Sequence, residues 1–143
     1  MEQMSMTQDG SQETERNAVG VDVLLTRNGG LSYLEIPAMD ARRSAAFYQH
    51  VFGWKLRDEG ADQPKFSDQA GHLIGRWVTG RAISRQPGLL PFIYVDRIDD
   101  VVKRVASNGG EIVKAPYREG NLWVSVVRDP AGNVVGVWQE DKS

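Results

Sequence analysis

The chain has 143 residues, 41% of them hydrophobic and 25% charged, a balance that suits one packed domain and leaves no room for two ordinary ones. Its net charge of −2, from 17 basic and 19 acidic side chains, supplies no positive field for a phosphate backbone, so no nucleic acid is expected as a partner. The lack of cysteine removes disulfides, thiolate metal sites and a cysteine nucleophile, and two histidines, His50 and His72, cannot make a three-histidine zinc site within one chain.

No apolar run reaches the roughly 20 residues needed to cross a bilayer, and the N-terminal stretch has neither the basic nor the apolar region of a signal peptide. No membrane partner is expected, and the expected compartment is the cytoplasm. Residues 1–18 are polar and aperiodic and are expected to form a disordered leader. Residues 19–30 carry the apolar stretch Val19 to Leu25 and end in Asn28-Gly29-Gly30. They are expected to be an N-terminal arm or an extra strand, packing on the domain or on a partner chain. The folded domain is expected over 31–140, with module one at 31–80 and module two at 89–140.

In chain order, Leu31-Ser32-Tyr33-Leu34-Glu35-Ile36 alternates in character and meets Pro37, which predicts a strand ending there. Asp40 is placed to cap a helix over Ala41 to Phe52, whose Ala45, Phe47, Tyr48 and Val51 share one face, and Gly53 is placed to end it in a left-handed conformation. Trp54-Lys55-Leu56, Phe66-Ser67 and Leu73 to Thr79 then predict three strands, with a turn at Ala70-Gly71. The order repeats. Leu89 to Val95 predicts an apolar strand, Asp96 or Asp99 a cap, Val101, Val102 and Val105 a buried helical stripe, and Asn108-Gly109-Gly110 a helix end. Strands follow at Glu111-Ile112-Val113, Leu122 to Val127 and Val134 to Gln139, the last two joined through Asp129-Pro130-Ala131-Gly132-Asn133, where Pro and Gly sit at turn-favoured positions. Asp40 precedes Gly53 by 13 positions and Asp96 precedes Gly109 by 13 as well, which points to an internal repeat of about 56 residues.

These elements predict an α+β fold in which two βαβββ modules form a curved eight-stranded sheet around a central cleft. A sheet with a helix on its back buries one face; two such sheets side by side leave a trough lined by alternate residues, the usual shape of a small-molecule site.

Residues 31–140 resemble the glyoxalase/bleomycin-resistance/extradiol-dioxygenase superfamily, also called the vicinal oxygen chelate family. The resemblance rests on Leu31-Ser32-Tyr33-Leu34-Glu35-Ile36, on Asp40 followed by Ala46-Phe47-Tyr48 and Val51-Phe52-Gly53-Trp54, and on the Asp129-Pro130-Ala131-Gly132-Asn133 turn with Trp138. It implies a glyoxalase-like fold and, in metal-using members, ligands at the positions held here by Tyr33, Leu90 and Gly136. Leucine and glycine offer no donor and a neutral phenol is a poor one, so no metal and no cofactor are expected. A different set, Glu35 with His72, is the alternative placement for a weakly held ion.

Strand alternation puts Tyr33 and Glu35 on one face, and Leu90, Phe92 and Tyr94 on another with Val134, Gly136 and Trp138. Glu35, Tyr33 and Tyr94 are the candidate catalytic residues; a carboxylate in an apolar trough has its pKa raised by desolvation and is suited to proton transfer. The competing reading of Glu35 is an ion pair with Arg76. Leu90, Phe92, Arg76, Trp123, Trp138, Gly136 and Arg118 are the candidate ligand-binding residues, with Trp123 and Trp138 stacking a planar ligand and Tyr117-Arg118-Glu119-Gly120 a mobile loop at the mouth. Arg81 to Gly88 links the modules and edges the opening. His50, at the end of the first helix, and His72, in a turn, are expected at the surface, Trp54 in the core or an interface, and Trp77 on either face.

The partner expected is a small-molecule ligand, and the chain is expected to be a homodimer, as is common in the family. The function expected is small-molecule binding, with a metal-independent lyase or isomerase using the cleft carboxylate as the leading form. A non-catalytic ligand- or drug-sequestering protein of the bleomycin-resistance type is the alternative, and a metal-dependent lyase or dioxygenase with relocated ligands is the third.

Overall fold

The computed structural model describes residues 23–57 and 62–141. Val23–Leu25 forms a single 3-10 turn; the rest of the apolar stretch from Val19, and the 1–18 leader, lie outside the described residues. Eight strands and two α-helices follow among the described residues: β1 (Tyr33–Ala38), α1 (Ala41–Phe52), β2 (Lys55–Arg57), β3 (Lys65–Ser67), β4 (Ile74–Thr79), β5 (Phe92–Tyr94), α2 (Ile98–Ser107), β6 (Glu111–Glu119), β7 (Leu122–Arg128) and β8 (Val134–Glu140). They build two four-stranded sheets, ordered β1-β4-β3-β2 and β5-β8-β7-β6, each with one parallel pair created by its helical crossover. This is the expected α+β arrangement of two βαβββ modules. Neither helix is long and apolar enough to cross a membrane.

Local chemistry explains α1. The Asp40 carboxylate accepts from the N–H groups of Arg42 and Arg43 at 3.1 and 3.2 Å, satisfying two of the helix's unpaired donors, and Gly53 closes it at φ 73°, where a side chain would be strained. Its buried face, Ala41, Ala45, Phe47, Tyr48, Val51 and Phe52, packs with α2 and both sheets into one core. Trp54 stacks between Tyr48 and Phe66, and Trp77 is fully buried beside Phe66. β1 runs on through Pro37, beyond the expected end. It lies at the sheet edge, where a missing N–H breaks no ladder.

Neither Asp96 nor Asp99 caps α2. The helix begins after Arg97, which makes no side-chain cap, and the N–H of Ile98 donates instead to Gln139 Oε1 at 2.7 Å, a partner 41 residues away on β8. The segment expected to be a mobile loop, Tyr117 to Glu119, is the end of a nine-residue strand whose pairing with β7 shifts register twice. β5 is shorter than expected: Leu89, Leu90 and Pro91 remain in the inter-module connection.

The modules meet at a buried polar clamp. Asp129 Oδ1 accepts from the N–H groups of Ala131, Gly132 and Asn133, each at 3.0 Å, while its Oδ2 accepts from Tyr48 at 2.9 Å and from Asn133 Nδ2 at 2.8 Å. Asn133 Nδ2 also donates to the Pro37 carbonyl at 2.7 Å, and its Oδ1 accepts from the N–H of Ser84 at 2.8 Å. One side chain thus ties the end of β1 and the connection to the start of β8.

The two β-hairpins that end the modules carry matching sequences, Asp68-Gln69-Ala70-Gly71-His72-Leu73-Ile74-Gly75-Arg76-Trp77 and Asp129-Pro130-Ala131-Gly132-Asn133-Val134-Val135-Gly136-Val137-Trp138. They close differently. Ser67 pairs with Ile74, leaving residues 68–73 in the loop, whereas Arg128 pairs with Val134, leaving only 129–133. The Asp side chains record the same offset: Asp68 accepts from Gly71, His72 and Leu73, Asp129 from the three residues one step nearer. A one-residue offset turns a strand's side chains over. Trp77 therefore points into the core, beside Ile36 in register, and Trp138 points to the opposite face, beside Tyr94.

Candidate functional site

On module one the site begins with the pleat. Ile36 and Ala38 of β1 are buried in the core, so Tyr33 and Glu35 fall on the face away from the helices, and parallel pairing puts Glu35 beside Arg76 of β4. The Glu35 carboxylate is held three ways: Oε2 accepts from Arg76 Nε at 3.1 Å and from the Tyr33 hydroxyl at 3.2 Å, and Oε1 pairs with Arg81 Nη2 at 2.7 Å. Arg76 Nη1 donates further to Gln63 Oε1 at 3.3 Å. Arg81 reaches Glu35 from just beyond β4, after Gly80 turns the chain at φ 86°.

The expected rise in the Glu35 pKa is corrected. Its hydrogen bonds to Arg81, then Arg76, outweigh desolvation and hold the carboxyl below the usual carboxylate range, and the same pairing raises the Arg76 guanidinium. Glu35 is the ion-paired carboxylate of the competing expectation, with a second arginine added. The sequence put Arg81 at the edge of the opening but gave it no role; the signal was Gly80, directly after β4.

On module two, Ile93 and Val95 pack against the core and Phe92 and Tyr94 face away from it. Phe92 pairs with Gly136, and a Cβ on that glycine would lie 2.4 Å from two atoms of the Phe92 ring, so the ring lies flat over β8 because nothing stands beneath it. Tyr94 meets Trp138 edge-on, with centroids 4.7 Å apart. Two expected positions are corrected. Trp123 pairs with Gln139 and packs against the core, on the sheet face opposite Trp138, so the two indoles cannot clasp one ligand. Arg118 follows it to that face, its guanidinium 5.3 Å from the Trp123 ring and 3.0 Å from Asp141.

Between the edge strands β1 and β5 lies a cavity of about 960 Å³. Leu34 and Glu35 line it from β1 and Phe92 and Tyr94 from β5, and the two helices contribute Tyr48 and Arg104. Of the sequence-predicted residues, Glu35, Phe92 and Tyr94 meet there. Tyr33 and Arg76 stand behind Glu35, and Gly136 and Trp138 behind Phe92 and Tyr94. Leu90 is not among the lining residues. His50 lines the cavity rim and is exposed, and His72 is exposed in the 68–73 loop.

The family implies a divalent metal in some members, and the donor set does not fit one. Tyr33 spends its hydroxyl proton on Glu35, Leu90 is aliphatic and lies outside β5, and Gly136 has no side chain. Among the described residues no three His, Asp or Glu side chains converge as a metal-binding group.

The fold and this cavity define the class, and comparison with known proteins gives the family. The model of the Glyoxalase/Bleomycin resistance protein/Dioxygenase superfamily matches residues 30–137, and the chain belongs to that superfamily. The protein CFP32 of Mycobacterium tuberculosis, whose name assigns it provisionally to the glyoxylases, is 25% identical over 124 residues. The match takes in 81% of this chain and 48% of CFP32, so the chain spans about half the length of that relative. Solved structures share the fold, two of them as follows. A glyoxalase/bleomycin resistance protein/dioxygenase family enzyme from Burkholderia phytofirmans superposes with a TM-score of 0.65 at 22% identity, covering 78% of this chain and 99% of its own. The fosfomycin resistance protein FosX from Listeria monocytogenes gives 0.65 at 16% identity, covering 78% and 93%.

Proposed function

We propose that this superfamily member binds a small molecule in the cavity between its modules and holds it without turnover. The observation that carries the reading is the cavity itself. Its volume falls within the ~300–1,000 Å³ typical of ligand pockets, and it combines an apolar wall with a few charged groups, Glu35 among them. Proton transfer is the weaker reading, because a carboxyl held below its ordinary pKa by two guanidinium groups is a poor base near neutral pH. Glu35 and Tyr94 then orient a ligand, and Tyr33, Arg76 and Trp138 brace the residues that touch it.

The test is native mass spectrometry of the purified protein, followed by chemical identification of whatever co-purifies. A tight ligand recovered unchanged after prolonged incubation supports sequestration of the bleomycin-resistance type. A ligand converted to product, with conversion lost in Glu35→Gln, would replace it with the lyase or isomerase reading. A homodimer is proposed with it: β1 and β5 are both sheet edges with unpaired backbone groups, and Leu31 and Leu89 beside them are 79% and 90% exposed. Sedimentation as a monomer at working concentration refutes that part.

A further inference from the structure

We propose that the ligand of the inter-module cavity is a short extended peptide, bound through its main-chain amides as an added strand between the edges of β1 and β5. This rests on the cavity being the ligand site and adds the chemical class and the groups that hold it.

The first observation is which residues form the wall. Residues 34–37 of β1 and 91–97 in and around β5 line the cavity without a break. Successive side chains of a strand point to opposite faces, so a wall that takes both faces in turn is the edge of the strand. β1 and β5 are each the outermost strand of their sheet, and no ladder joins them among the described residues. The cavity is therefore a gap with a backbone edge on either side.

The second observation is where the backbone groups of those edges point. The Pro91 carbonyl accepts from the N–H of Gly136 at 2.8 Å and the Val95 N–H donates to the Trp138 carbonyl at 2.9 Å, which turns Pro91, Ile93 and Val95 toward β8. Alternation then turns the N–H and carbonyl groups of Phe92 and Tyr94 to the gap. On β1 the Ser32 carbonyl accepts from the N–H of Ile74 at 3.0 Å, which turns Leu34 and Ile36 toward β4 and Glu35 to the gap. Pro37, next in that row, has no N–H, and Asn133 Nδ2 takes its carbonyl. The backbone groups of Glu35, Phe92 and Tyr94 thus meet across the gap, with no partner found for them among the described residues.

The charged side chains of the wall, by contrast, are engaged within the chain. Glu35 holds Arg76 and Arg81, Arg97 lies 3.6 Å from Asp100, and Arg104 donates to the Val51 carbonyl at 3.3 Å. Asp68 accepts from the N–H groups of its own turn, and Asp96 has a partner too. The open polar capacity of the wall is that of two strand edges, and its complement is another strand.

Two flanking edges also decide which kind of strand fits. An edge strand of a second copy of this chain is already paired on one side and can satisfy one row only. A free peptide has both rows open, one for Glu35 and one for Phe92 and Tyr94. Its side chains meet apolar groups on both faces, Val51 of α1 and Val101 of α2 toward the core and the Phe92 and Tyr94 rings away from it, so the fitting segment is uncharged and apolar throughout.

The probes are acetyl-Val-Ala-Val-amide, the same peptide N-methylated at its central residue, and phenol, a ring with no amide. Each is titrated by NMR, and backbone amide exchange is measured with and without it. In the free protein the amides of Leu34, Ile36 and Ile93 should exchange slowly and those of Glu35, Phe92 and Tyr94 readily; the peptide should slow these last three by about tenfold or more. The N-methylated peptide should bind about tenfold more weakly, having lost a donor to the edge. Phe92→Pro removes an N–H that faces the gap while Phe92→Ala keeps it, so the proline variant should bind the peptide about fivefold more weakly than the alanine one. Equal binding of the two peptides overturns the added strand, because side chains alone then carry recognition. Protection of Glu35, Phe92 and Tyr94 without peptide, rising with protein concentration, also overturns it and places a second copy in the gap. Phenol shifting Phe92 and Tyr94 where the peptide does not overturns the peptide and leaves the cavity as a ligand site. If no probe shifts those residues up to its solubility limit, the added strand and the cavity reading both fall.

Discussion

Replacing Tyr48 by Phe deletes a single hydroxyl from the clamp between the modules. The ring is buried, meets Phe47 edge-on at 5.2 Å and stacks on Trp54 at 4.7 Å, and phenylalanine keeps those contacts. What is lost is the 2.9 Å bond to Asp129, a carboxylate only 3% exposed. Hydrogen bonds to charged groups contribute about 1.5–3 kcal/mol, and here solvent cannot replace the missing donor. Asp129 retains three backbone N–H groups and Asn133 Nδ2, which keeps the cost toward the middle of that range, about 2 kcal/mol. Urea unfolding followed by tryptophan fluorescence should show that loss with an unchanged m-value, equivalent to a fall in Tm of roughly 4–10 °C at this chain length. The pH dependence supplies a second reading. Burial, and then the Asp129 charge, raise the Tyr48 hydroxyl well above its ordinary pKa of 10.0. A raised folded-state pKa gives stability that is complete below the unfolded value and lost as the pH climbs above it, since only the unfolded chain then ionises. The gap between wild type and Tyr48→Phe should therefore narrow above about pH 10. A loss below roughly 0.5 kcal/mol, or a gap that widens with alkali, would refute the account of the clamp.

Three further outcomes follow from the same geometry. The Glu35 carboxyl should titrate by NMR below its ordinary value of 4.5, so that its ion pairs persist above that value and are lost only as the pH falls through the lower folded-state one. Arg81→Gln should move the midpoint upward, and an unmoved midpoint would mean that the 2.7 Å contact does not form in solution. Gly136→Ala should displace the Phe92 ring with about 1 kcal/mol or less of destabilisation, because a half-exposed ring can swing into water; altered Phe92 ring shifts with little change in unfolding midpoint are the expected signature. Gln139→Leu should cost about 1 kcal/mol and speed amide exchange at the start of α2, since it removes the acceptor of Ile98; unchanged exchange there would show the bond to be dispensable.

What the sequence made legible was what nearby residues decide. Asp40 and Gly53 sit within bonding distance of the helix they bound, and α1 with its following strand was readable from them. The cap of α2 was not, because its acceptor comes from Gln139 on a distant strand while Asp96 and Asp99 only looked suitable by position. In the site, alternation along β1 and β5 set Glu35, Phe92 and Tyr94 on the face away from the core, and residues of both faces line the cavity. It could not tell that Trp123 belongs to the other face, which depends on its register with Gln139, nor that the Glu35 pKa falls instead of rising, which depends on Arg81 arriving from outside the strands.

The unequal hairpins have a wider implication for chains that grew by copying themselves. A duplicated segment inherits its side chains in a fixed order, but one spacer residue decides which of two destinations each will reach. Shorten or lengthen the bend by that single unit, and an indole that anchored the keel is delivered to the opposite side, with every neighbour on the same strand changing places alongside it. Two halves that keep the same marker residues in the same order can thus come to present them on different faces.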